Sequence, residues 1–142
     1  MRKLVMIIDD SSVVRKILEV TLQREEIGTV CYANGTEALC AMKTQPDLVP
    51  ALIFLDVRLP DMNGYAIARL LRSEPRFDAT KIILLSGHDG VLSRFKGQLA
   101  GATTYMTKPF TTREILAAVS QYLPVLPVGE PVSAIGKYRT YA

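Results

Sequence analysis

Short apolar runs closed by polar or turn residues recur along the chain and alternate with stretches of helical spacing. Leu4 to Ile8 is uninterrupted and ends at Asp9-Asp10, the pattern of a strand buried on both faces of a parallel sheet. Ser11 is a good N-cap, and Val13, Val14, Ile17, Leu18 and Leu22 follow at helical spacing in a helix that ends near Gly28. Thr29 to Ala33 predicts a second strand, and Asn34 caps a helix through Ala38, Leu39 and Met42 that stops before Pro46. Ala51 to Leu55 predicts a third strand, which again ends in an aspartate, Asp56. A loop holding Pro60 and Gly64 leads into a helix with Ile67, Leu70 and Leu71 inward, closed by Pro75. Ile82 to Leu85 predicts the fourth strand, ending at Ser86-Gly87, and Asp89 is expected to cap a helix through Val91, Leu92, Phe95 and Leu99. Ala102 to Met106 predicts the fifth strand, ending at Lys108-Pro109. Thr111-x-x-Glu114 is a capping-box signature for a last helix through Ile115, Leu116, Val119 and Tyr122.

Five such βα units predict an α/β fold: a doubly wound, flavodoxin-like, five-stranded parallel sheet of order 2-1-3-4-5 with helices on both faces. The pattern ends after Leu123, so one domain is expected over residues 1–123. Pro124, Pro127, Gly129 and Pro131 then predict a flexible tail over 124–142, whose end is slightly basic at Lys137 and Arg139. A chain of 142 residues is large enough to bury a core without disulfides. Cys31 and Cys40 lie in apolar stretches without a partner motif and are expected to be buried, reduced thiols. The N-terminal apolar run is too short for a signal peptide or a membrane span, which points to a cytoplasmic protein without membrane insertion. A net charge of +3 with no dense basic stretch lacks the footprint of a nucleic-acid binder.

Ligands of a doubly wound sheet bind outside the carboxyl ends of the strands, where the strand order reverses. Those ends carry Asp9 and Asp10, Asp56, Ser86 and Lys108. Taken singly, each is an ordinary turn or cap residue. Three converging carboxylates are a different matter, because two unit charges about 4 Å apart repel by about 4 kcal/mol at an effective dielectric near 20. A hard divalent cation offsets that repulsion, and Mg²⁺ suits a few carboxylate oxygens plus water and a phosphate oxygen. Lys108 would offset the remaining charge and contact a bound phosphoryl group.

Asp9-Asp10, Asp56, Ser86 and Lys108-Pro109-Phe110 resemble the signature set of response-regulator receiver domains, and the resemblance runs from about Lys3 to Leu123. Leu59 to Gly64 resembles the loop that follows the phospho-acceptor in that family, and Tyr105 matches its switch aromatic. The resemblance implies a two-component phosphorelay protein that takes a phosphoryl group onto Asp56 from a histidine kinase or phosphotransfer domain. It implies Mg²⁺ held by Asp9, Asp10, Asp56 and the backbone carbonyl of Arg58. Lys108 and Ser86 would contact the phosphoryl group, with Ser86 and Tyr105 forming the switch. The Lys108-Pro109 bond is expected to be cis. Output is expected through a downstream protein that meets the fourth helix, fifth strand and fifth helix, from a monomer or a phosphorylation-dependent dimer. Such a chain is a phospho-accepting signalling domain with intrinsic phosphotransfer and autodephosphorylation, not a conventional enzyme. The segment from Ser86 to Phe110 is similar to receivers of pilus-linked chemotaxis systems that govern twitching motility. His88 is expected at the rim of the site.

Three other readings fit the pattern less well. A haloacid-dehalogenase-like phosphohydrolase needs Asp-x-Asp at the nucleophile, whereas Val57 and Arg58 follow Asp56. A receiver-like module that signals without phosphorylation has no use for the full set of strand-end residues. A nucleotide-binding flavodoxin-like protein needs a phosphate-cradling loop where Asp9-Asp10 would repel phosphate.

Overall fold

A computed structural model describes residues 3–88, 90–123 and 139–140. The strands are β1 (Leu4–Ile8), β2 (Gly28–Tyr32), β3 (Leu52–Asp56), β4 (Lys81–Ser86) and β5 (Thr104–Thr107). They are parallel and ordered 2-1-3-4-5, as the alternation of elements predicts. Helices α1 (Ser12–Arg24), α2 (Gly35–Thr44), α3 (Gly64–Arg72) and α4 (Val91–Leu99) fill the crossovers, α5 (Thr112–Tyr122) follows β5, and a 3₁₀ turn at Pro75–Phe77 that the sequence pattern did not disclose precedes β4.

Alternation along the buried strands sorts the core into two layers. Met6, Ile8, Ile53, Leu55, Ile82, Leu84 and Tyr105 pack with Ala38 and Met42 of α2 and with Ile67, Ala68 and Leu71 of α3. Val5, Ile7, Leu52, Phe54, Ile83, Leu85 and Met106 pack with Leu18 and Leu22 of α1 and with Ile115, Ala118, Val119 and Tyr122 of α5. The helix starts follow the predicted caps. Ser11 Oγ accepts from Val14 N at 3.2 Å, Asn34 Oδ1 accepts from Glu37 N at 2.8 Å, and Thr111 and Glu114 form the reciprocal capping box.

Several expectations need correction. Leu70 is exposed, because the buried stripe of α3 runs through Gly64, Tyr65, Ile67, Ala68 and Leu71 and leaves position 70 to one side. Cys40 is also exposed, since Ala38, Ala41 and Met42 turn the opposite face of α2 inward; Cys31 is half-buried because β2 is an edge strand. Both thiols are free. On α4 the apolar spacing does not mark an inward face: Val91, Leu92, Phe95 and Leu99 are 75, 63, 55 and 66 % exposed, while Gly97 is buried. The cap expected at Asp89 lies outside the described residues, and Gly90 holds the N-cap position without a side-chain bond. Most of the expected flexible tail also lies outside them. Its residues Arg139–Thr140, however, form a short strand, β6, antiparallel to β5.

Candidate functional site

The carboxyl ends of β1, β3, β4 and β5 meet in a cleft of about 250 Å³ lined by Asp10, Asp56, Val57, Arg58, Ser86, Gly87, His88 and Lys108. β1 and β3 are neighbours at the point where strand order reverses, and their ends bring carboxylate oxygens of Asp9, Asp10 and Asp56 within 4.8 Å of one another. Asp9 is fully buried and Asp56 nearly so, while Asp10 is exposed. Strands β3 and β4 each run one residue past their predicted ends, so Asp56 and Ser86 are their last residues. Both side chains are thereby held by the sheet itself.

Lys108, just beyond β5, reaches back over the cluster. Its Nζ lies 2.8 Å from Asp9 Oδ2 and 3.5 Å from Asp56 Oδ2, so one ammonium is shared by two buried carboxylates. Its backbone N–H donates to the Ser86 carbonyl at 2.7 Å, and the Lys108-Pro109 bond is cis, as expected. Asp9 is fixed further by Ser11 N, which donates to Oδ1 at 2.9 Å, and by Arg15, whose guanidinium donates to the Asp9 carbonyl. Burial, and then the charge of Asp9, push the Asp56 carboxyl up to about 6, while the Arg58 N–H and the Lys108 ammonium pull the other way. Three carboxylates thus stand against one ammonium, and the end of β3 retains uncompensated negative charge. An all-oxygen set of this kind fits a hard divalent cation.

Residues 5–120 match the response regulator receiver domain. The chain belongs to that family. It is 33 % identical over 131 residues to protein PilG of Pseudomonas aeruginosa, covering 92 % of this chain and 93 % of that one. It is 32 % identical over 119 residues to the DNA-binding response regulator MtrA of Mycobacterium tuberculosis; that match covers 84 % of this chain and half of MtrA. Among solved structures, the chemotaxis response regulator CheY4 of Vibrio cholerae superposes with a TM-score of 0.80 at 26 % identity, covering 87 % of this chain and all of that one. This chain is therefore a two-component signalling domain of chemotaxis-like architecture.

The receiver loops place the remaining predicted residues. Ser86 Oγ donates to the His88 carbonyl at 3.1 Å and accepts from His88 N at 3.0 Å, so its hydroxyl is engaged within its own loop. His88 sits at the rim as expected, with Nε2 at 3.0 Å from Arg58 Nη2. Arg58 lines the cleft, donates its N–H to Asp56 Oδ1 at 3.1 Å and bridges Asn63 across the loop. Tyr105 is packed inward with Leu84, Tyr65 and Ala100. The contact between Arg58 and His88 spans thirty positions and left no local signal in the sequence.

Asp61, which the sequence marks only as part of the Leu59 to Gly64 loop, has a structural role of its own. Its carboxylate accepts from Gly35 N at 3.0 Å, from Thr36 N at 2.7 Å and from the Thr36 hydroxyl, clamping the loop after Asp56 onto the N-terminus of α2. These bonds, the Thr36 hydroxyl foremost, hold the Asp61 carboxyl down at about 2. Gly64 completes the loop by letting α3 approach the end of β3: a Cβ there would lie 2.3 Å from the Asp56 carbonyl oxygen.

Proposed function

We propose that Asp56 is the phospho-acceptor of this receiver, that Asp9, Asp10, Asp56 and the Arg58 carbonyl hold the Mg²⁺ it uses, and that Lys108 and Ser86 receive the phosphoryl oxygens. The observation that carries this reading is the sharing of the Lys108 ammonium between two buried carboxylates at 2.8 and 3.5 Å. That arrangement leaves charge for a dication to offset and puts a mobile cation beside the acceptor oxygen. A bound Mg²⁺ would supply electrostatic stabilisation of the phosphoryl group in flight.

The protein's own part is positioning. An Asp56 oxygen attacks phosphorus, the P–N bond of a donor phosphohistidine breaks, and its electron pair stays with the imidazole as the acyl phosphate forms. The Arg58 N–H orients the Asp56 carboxylate through Oδ1. Lys108, already near Oδ2, turns from the carboxylate to the incoming oxygens. Ser86 has to give up its bond to the His88 carbonyl in order to donate to the phosphoryl group, which draws the loop between β4 and α4 toward Asp56. Tyr105 shares a core cluster with Tyr65, and Tyr65 Oη donates to the Ser93 carbonyl of α4 at 3.4 Å, a route by which the movement would reach α4 and β5.

The exposed apolar row on α4 supports a protein-binding output face built from α4, β5 and α5. The same reading has a histidine kinase or phosphotransfer domain as donor in the cytoplasm, autodephosphorylation as the off-step, and a downstream protein as target, in a monomer or a phosphorylation-dependent dimer. The likeness to PilG along nearly both whole chains supports a place in pilus-linked chemotaxis signalling. Incubation with acetyl phosphate and Mg²⁺, followed by intact mass measurement, tests the acceptor. Wild type should gain one phosphoryl group and Asp56→Asn none; no gain by wild type, with no spectral response to beryllofluoride, sinks the proposal.

A further inference from the structure

We propose that the outer edge of β5 is a strand-addition site that the chain's own segment Arg139–Thr140 occupies, so that a partner engaging this edge through an extended segment must displace it. The inference rests on the reading of α4, β5 and α5 as the output face, and it adds to that face an occupant already present in the molecule.

In a sheet ordered 2-1-3-4-5, β5 is an edge, and an edge strand presents unpaired N–H and C=O groups to any extended chain that comes near. Here the edge is taken. β6 lies antiparallel on β5 with Thr140 opposite Thr104 and Arg139 opposite Tyr105. Thr103 N donates to the Ile82 carbonyl at 2.8 Å, on the β4 side. Backbone alternation then points the N–H and C=O of Thr104 outward, toward Thr140. Among the described residues the pairing covers Thr104 and Tyr105.

The occupant belongs to the same chain, which changes the balance. The residues from 124 to 138 can span up to about 50 Å when extended, ample to return from the end of α5 to the neighbouring edge. A covalent connection of this length holds the segment at an effective concentration of roughly millimolar order. An intramolecular pairing of this kind covers the edge against adventitious strands and is open to exchange with a partner that offers a more extensive one. The position matters because Tyr105, whose side chain packs against the core under α4, is one of the two residues paired.

Residue-resolved amide exchange on the full chain tests the proposal, with Thr140→Pro removing the N–H opposite Thr104 and Thr140→Ala keeping the backbone intact. The Thr104 amide should exchange on the order of tenfold faster in Thr140→Pro than in wild type or Thr140→Ala. The Thr103 and Tyr105 amides, on the β4 side, should not change. Equal Thr104 exchange in all three proteins overturns the assignment. So does protection that survives Thr140→Pro and grows with protein concentration, since that gives the edge to a second copy. Phosphoryl uptake measured by mass on the same samples keeps the two readings apart: a chain that takes no phosphoryl group refutes Asp56 as acceptor whatever the exchange rates, and uptake with unchanged exchange refutes only the occupied edge.

Discussion

Lys108 lies in the cleft and Asp61 holds the loop that follows Asp56, and their geometry predicts opposite effects on metal binding. The Lys108 ammonium sits against two of the three carboxylates, where it competes with a cation for the same oxygens. Lys108→Ala should therefore bind Mg²⁺ as tightly as wild type or more tightly, while its phosphoryl uptake from acetyl phosphate slows by about tenfold or more. A titration showing lost Mg²⁺ affinity would reject that role. Asp61 touches no group of the cleft, but it ties the loop carrying Arg58 to α2 through Gly35 and Thr36. Asp61→Ala should weaken Mg²⁺ binding severalfold by loosening the loop, with the fold intact by circular dichroism. Unchanged affinity would reduce the clamp to a helix cap.

At the scale of elements, Gly64 and α4 are the informative cases. The Cβ of Gly64→Ala would meet backbone, the Asp56 carbonyl oxygen at 2.3 Å and Val57 Cα at 2.8 Å, so α3 and β3 must separate. The expected loss is about 1–3 kcal/mol in chemical denaturation, accompanied by weaker Mg²⁺ binding. On α4, Leu92→Ser should change stability by no more than about 0.5 kcal/mol, whereas Ile67→Ala on α3 should cost about 2–5 kcal/mol. Equal losses would mean that α4 is packed through Leu92 after all. The same contrast shows what the sequence made legible. The buried strands read clearly because continuous apolar runs have one stable environment, and the strand-end residues Asp9, Asp10, Asp56, Ser86 and Lys108 follow from the parallel topology. Helix periodicity states that an apolar stripe exists, but not whether it faces the core or a partner, which is why α4 and Leu70 misled. The Asp61 clamp and the contact between Arg58 and His88 join residues 25 to 30 positions apart and have no period to announce them.

For the whole molecule, the two perturbed carboxyls impose a non-monotonic dependence of stability on pH. Asp56, raised to about 6 in the folded chain, binds a proton there that the unfolded chain, titrating near 3.8, has already released. Its contribution to stability therefore grows as pH falls from about 7 toward 4. Asp61, held near 2, behaves in the opposite sense: its stabilisation is complete above about 4 and is lost as pH falls toward 2. Without Mg²⁺, urea unfolding at a series of pH values should show a maximum near pH 4 from these two groups. Asp56→Asn should flatten the limb above the maximum, and Asp61→Asn the limb below it. Saturating Mg²⁺ should remove the upper limb in wild type, because a cation binds only the deprotonated cluster and at about 100 times its Kd adds about 2.7 kcal/mol to the folded state. A stability profile above pH 5 that is the same with and without Mg²⁺ would show that the cation does not bind at Asp56, and the acceptor chemistry would lose its electrostatic basis.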